Sequence, residues 1–163
     1  MRAYLGSRPG RAHLRAILAM LSNTATDGGT TSTPPLRRAV DLMRSRGVLV
    51  LISDLYEDGE SVEGELRRAA RMGHDVTVFH VLAAEELDWP WTGDLEIEDS
   101  ETGRRVLTST GDAAAYRSRM AEFVQRWRDR CTAAGIVYVL ARTDAPPDHI
   151  LREYLLQRGT GTA

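Results

Sequence analysis

The sequence predicts an α/β protein built on a mainly parallel sheet flanked by helices, and three observations carry that reading. Val48 to Ile52 is an unbroken apolar run between Gly47 and Ser53, the pattern of a parallel strand covered on both faces. Val76, Val78 and Phe79 mark a second buried strand and Ile136 to Leu140 a third, and helical periodicity separates all three. Strand, helix and strand in that order call for right-handed crossovers. At 163 residues, 42% hydrophobic and 27% charged, the chain suits one domain with a real core. That domain is expected over residues 1–158, with a flexible tail at 159–163.

Arg2 to Leu5 can form a short strand that stops at Gly6. Leu14, Ile17, Leu18 and Leu21 follow at the spacing of a helix with one buried face. Asn23 to Thr33 is a polar loop. Ser32 or Thr33 caps a helix that opens on Pro34-Pro35 and turns Leu36, Val40 and Met43 inward. After the Val48 strand, Val62, Leu66 and Ala69 mark a helix that closes at Gly73, and the second strand runs out through His80 and Val81. Leu95 to Glu98 and Arg105 to Thr108 alternate on either side of Ser100-Glu101-Thr102-Gly103, a β-hairpin excursion from the sheet with Glu96 and Glu98 on its wet face. The longest helix carries one stripe from Tyr116 through Met120, Phe123, Val124 and Trp127 to Cys131. A last helix begins at Pro146-Pro147, with Ile150, Leu151, Tyr154 and Leu155 inward.

The formal net charge of -2 gives no electrostatic reason to bind nucleic acid or an acidic membrane. No apolar run approaches the length that spans a bilayer and no signal peptide opens the chain, so a cytoplasmic location is expected. The single Cys131 lies on an apolar stripe, where a structural thiol is the reading, and His80 reads as a hydrogen-bonded core or rim side chain. Trp89 and Trp91 flank Pro90. They read either as an exposed partner-binding patch or as packing for the excursion. Ser53 and Asp54 stand at the carboxyl end of the central strand, where open α/β sheets bind ligands. Asp54 is there either as a turn residue or as a cation ligand. With the Thr30 loop and Thr143-Asp144, this edge gathers oxygen donors without His or Cys, chemistry that suits a hard cation such as Mg²⁺.

Gly29-Thr30 before Leu36, then Leu51-Ile52-Ser53-Asp54-Leu55, Gly73-His74-Asp75-Val76, Phe79-His80-Val81-Leu82, Glu98-Asp99-Ser100-Glu101-Thr102-Gly103 and Arg142-Thr143-Asp144 resemble, in that order, the distal part of the domain-of-unknown-function family 58. The resemblance runs from about Met1 to Arg158. It implies a von Willebrand factor A-like, Rossmann-like domain of the kind often encoded beside a MoxR-type AAA+ ATPase. In such domains a metal-ion-dependent adhesion site takes an Asp-x-Ser-x-Ser motif, a Thr from a later loop and an Asp after the fourth strand. Thr30 matches the second part and Asp54, beside Ser53, the third. The first is missing from this sequence, so the chain looks like a truncated, distal half with a degenerate site that holds Mg²⁺ weakly if at all.

A non-catalytic protein-interaction module, working with a MoxR-type ATPase, is therefore the expected function. Losing the first strands would also bare one edge of the Val48 to Ile52 strand, so a homodimer through that edge, or its cover by Arg2 to Leu5, is expected. The alternative from a different class is a Mg²⁺-dependent hydrolase or phosphotransfer enzyme using Asp54 and Asp144. No phosphate-binding glycine loop and no nucleophile–base pair accompanies those carboxylates.

Overall fold

A computed structural model describes residues 5–6, 8–24, 33–56, 59–91, 95–98, 105–108 and 113–160. The elements run α1 (Arg11–Ser22), α2 (Thr33–Leu42), β1 (Val48–Ser53), α3 (Gly59–Arg71), β2 (Asp75–Leu82), α4 (Ala84–Asp88), β3 (Leu95–Glu98), β4 (Arg105–Thr108), α5 (Ala113–Ala133), β5 (Val137–Arg142) and α6 (Pro147–Thr160). Strands β1, β2 and β5 form a parallel sheet in the order β1-β2-β5. Strands β3 and β4 pair antiparallel as a separate hairpin, with Ile97 opposite Val106. This is the α/β architecture expected, an open parallel sheet with helices on it, consistent with a Rossmann-like or von Willebrand A-like fold.

Register settles which face is the core. Leu49 pairs with Val76 and Leu51 with Val78, while Val78 pairs with Tyr138. Paired residues of parallel strands point the same way, so these side chains share one face. Against it pack Val62, Leu66 and Ala69 of α3 and Met120, Val124, Trp127 and Cys131 of α5, with Leu36 and Val40 of α2 completing the cluster. Those stripes are the ones the sequence periodicity marks. Glu65 fastens α2 to α3: it is buried and accepts from Arg37 Nε at 2.8 Å and Arg68 Nε at 2.7 Å. Burial alone would raise its pKa, but the two guanidinium bonds outweigh that and hold the carboxyl below its usual value.

The opposite face departs from expectation. Val50 pairs with Thr77 and Ile52 with Phe79. Phe79 packs on Tyr154 of α6 with ring centroids 5.3 Å apart, and Arg158 of α6 pairs with Asp75. Helix α6 therefore covers β2 and β5 on this side but stops short of β1. Val48, Val50 and Ile52 are 56%, 46% and 69% exposed, so β1 is covered on one face only, not two. The apolar run fitted two-sided burial because its composition says nothing about how many helices the sheet receives.

Two helices differ from expectation in the same way. Helix α1 has no buried residue, and its Leu14, Leu18 and Leu21 are each more than half exposed. On α6, Ile150 and Tyr154 face the sheet as expected, but Leu151 and Leu155 stand exposed. The helix also continues to Thr160, past the point where a tail was expected. The short helix α4 was not foreseen. It is closed by Glu86, whose carboxylate accepts from the Ala83 N–H at 2.6 Å, a capping arrangement without the usual hydroxyl residue. Of Arg2 to Leu5, expected as a cover for the β1 edge, Arg2 to Tyr4 lie outside the described residues and Leu5 is in no strand.

Candidate functional site

The carboxyl end of the sheet is where the expected site falls, and the chain leaves β1 through two nested turns. Ser53 Oγ accepts from the Leu55 N–H at 3.1 Å, and Asp54 Oδ1 accepts from the Tyr56 N–H at 3.3 Å. Short side-chain oxygens that bond the backbone two residues on are the device by which Ser and Asp turn a chain. Between them Leu55 takes φ 59°, a left-handed conformation that costs a bulky residue free energy. Its side chain is buried at 3% exposure, so core packing holds the backbone there.

A buried imidazole braces this turn from below. His80, fully buried, has Nε2 2.9 Å from the Asp54 carbonyl oxygen and Nδ1 2.7 Å from the Tyr138 hydroxyl. A carbonyl can only accept, so Nε2 carries the proton and the Tyr138 hydroxyl donates to Nδ1. Burial holds the His80 pKa below the ordinary value, outweighing its contacts with Asp54. Both nitrogens are satisfied and the ring is neutral, as befits a structural strut.

Around the strut lies an aromatic shelf. Tyr56 stacks on Phe123 at 5.4 Å and 8°, and Phe123 meets His80 edge-on at 5.3 Å. The Tyr56 hydroxyl donates to Glu86 Oε1 at 3.2 Å. Burial first, and the Glu86 carboxylate next, push the Tyr56 phenol well above its usual range. Sequence reasoning passed over both residues; nothing in local spacing joins a strand-end tyrosine to a glutamate thirty positions on, and only the fold brings them together.

Asp144 sits past the end of β5, with β2 lying between β5 and β1. Asp54 and Asp144 therefore leave the sheet two strand spacings apart, about 10 Å. Asp144 is also engaged: both its oxygens accept from Arg142 at 3.0 Å, and Arg142 bonds Asp88 at 2.8 Å. The Arg142 bond holds the Asp144 carboxyl below its usual value. Thr30 lies outside the described residues. Among the described residues, no group of three or more His, Cys, Asp or Glu side chains could hold a metal. Ser53 and Asp54 each spend lone pairs on backbone N–H groups.

With this geometry in hand, the comparisons decide kinship. The sequence profile described as protein of unknown function DUF58 matches residues 1–130. The chain belongs to the DUF58 family. No curated protein and no solved structure matches it. The DUF58 match takes in Ser53, Asp54, Tyr56, His80 and Glu86, whereas Tyr138, Arg142 and Asp144 lie beyond it. The β1 turn and the residue that braces it are thus in the DUF58 segment, and the hydroxyl that completes the brace comes from outside it.

Of the two tryptophans singled out from the sequence, Trp89 is buried at 6% exposure and packs on Tyr116 with centroids 4.6 Å apart. It also takes the left-handed backbone that ends α4. Trp91 meets it edge-on at 5.4 Å and stays 41% exposed. Trp91 is the half of the pair that leaves apolar area exposed. Cys131 is buried, and burial pushes its thiol up to about 12. No described helix is long and apolar enough to cross a membrane.

Proposed function

We propose that this DUF58 chain is a non-catalytic protein-interaction module of von Willebrand A-like architecture, that its partner is a MoxR-type AAA+ ATPase, and that its metal-ion-dependent adhesion site is degenerate. The observation that carries the reading is the open β1 side of the sheet, where Val48, Val50 and Ile52 stay exposed beside a backbone edge that no described strand pairs. Exposed apolar strands at a sheet edge are surfaces for another chain. Self-pairing through the Val48–Ile52 edge belongs to the same proposal. The polar groups at the carboxyl end support it from the other side: Asp54, Ser53, His80 and Asp144 are all engaged in holding the fold. The ATPase enters from the family resemblance, and the weak metal site from a Thr30, Ser53 and Asp54 set that offers few ligands.

The test is capture of a purified MoxR-type ATPase on the immobilised chain, with Mg²⁺ or with a chelator, beside thermal unfolding under the same conditions. Capture weakened by Trp91→Ala and indifferent to the chelator is expected. A site filled at one hundred times its dissociation constant would add about 2.7 kcal/mol, or a rise in Tm of roughly 5–10 °C for a chain of this size. Such a rise, lost in Asp54→Ala, would show a working metal site. Phosphoester turnover abolished by Asp54→Ala would replace the module with an enzyme.

A further inference from the structure

The bare side of β1 is more than an exposed strand: it is the floor of a groove that runs beside α6. Tyr154 of α6 faces Phe79 on the sheet. Glu153, one position earlier and about 100° round the helix, lines the cavity at the outer edge of β5 with Arg128 and Val137. Leu155, one position later, and Leu151, one turn before it, therefore lie on the opposite flank, turned toward β1. They are 64% and 53% exposed. Val48, Val50 and Ile52 make the floor of this groove and Leu151 and Leu155 its wall, and no described residue fills it.

The same chain carries a helix of matching shape. Leu14, Leu18 and Leu21 of α1 line one stripe and are 56%, 54% and 62% exposed, and no residue of α1 is buried. From Leu14 to Leu21 the stripe rises about 10 Å, against about 13 Å for Val48 to Ile52 along the strand. A helix with an apolar stripe earns its stability by burying that stripe, and α1 buries none in its own chain. We propose that α1 of a second copy lies in the groove between β1 and α6, and that the two copies exchange these helices reciprocally. Helix and groove are on every chain, so one two-fold axis satisfies both and the contact closes at a dimer. Charge fits as well. Helix α1 carries Arg11 and Arg15 and no acidic residue, while Asp54 lies exposed where the groove floor ends.

This goes beyond the module reading, because it concerns the face of β1 and not its backbone edge. The experiment is light scattering on the full chain at tens of micromolar, with Leu18→Glu as the variant and circular dichroism to confirm that the variant stays folded. Leu18 is exposed within its own chain, so the substitution leaves the core intact. A dimer that becomes monomeric in Leu18→Glu is the expected result. A wild-type monomer overturns the proposal, and so does a dimer that survives Leu18→Glu, which would assign association to the β1 edge and leave the module reading standing. Copy exchange is read by mixing a Leu18→Cys chain with a Val50→Cys chain under mild oxidation. A disulfide joining the two different chains is expected. If the double variant at tens of micromolar closes only on itself, α1 fills its own groove and the exchange is wrong.

Discussion

Acidification should weaken this fold through one side chain. His80 is fully buried, with its Nε2–H on the Asp54 carbonyl and its Nδ1 receiving the Tyr138 hydroxyl. Burial lowers its pKa in the folded chain, whereas the unfolded chain titrates near the ordinary value of about 6.5. Below that value the unfolded state takes up a proton that the folded state refuses, so stability falls as pH falls toward the lowered folded value. At pH 7.5 neither state carries the proton and nothing is lost. At pH 5.5 the unfolded state is almost fully protonated, and a folded state still neutral gives up about 1.4 kcal/mol. Urea denaturation at pH 7.5 and 5.5 reads the difference, with His80→Gln as the reference. Wild type should lose up to about 1.4 kcal/mol over the interval through His80. His80→Gln should start less stable at pH 7.5 and lose that much less on acidification. Equal losses in the two proteins would refute the argument that His80 is held neutral by its surroundings.

Two further outcomes test the same core. Tyr138→Phe leaves the buried Nδ1 of His80 without a donor and should cost about 1–3 kcal/mol in urea denaturation, while a neutral substitution would mean that the 2.7 Å contact does not stabilise. Cys131, with its thiol pushed up to about 12, should resist a disulfide reagent at pH 8 until urea unfolds the chain, whereas labelling of the folded protein within seconds would contradict its burial.

The layered fold was legible because the core face obeys local rules. Val62, Leu66 and Ala69, like Met120, Val124, Trp127 and Cys131, are spaced as one stripe each, and each stripe meets the sheet. The hairpin was legible from alternation and turn residues, and β3 pairs with β4 accordingly. Helix α1 shows where such reasoning ends. Its leucines satisfy the same periodicity as Val62, Leu66 and Ala69 of α3, yet none is buried. An amphipathic pattern states that a face seeks cover and does not state which chain supplies it. Helix α4 was missed for a different reason: five residues give no period to detect, and its cap rests on a backbone N–H that carries no sequence signature.

At the carboxyl end of β1 the sequence offered two meanings for Asp54, and the geometry supplies a mechanical one. The Asp54 carboxylate turns the backbone at Tyr56, its carbonyl receives the His80 proton, and the strained Leu55 beside it is pinned by burial. Strain of this kind persists only where neighbours over-determine it. Three separate contacts supply that constraint: the Ser53 hydroxyl, the Asp54 carboxylate and the imidazole. Their partners are a backbone N–H two residues on, which spacing can reveal, and a histidine from the next strand, which only the parallel register of Ser53 with His80 reveals. The turn is therefore held by three contacts from within the chain. Removing the Asp54 carboxylate should disturb local order there before it disturbs any chemistry.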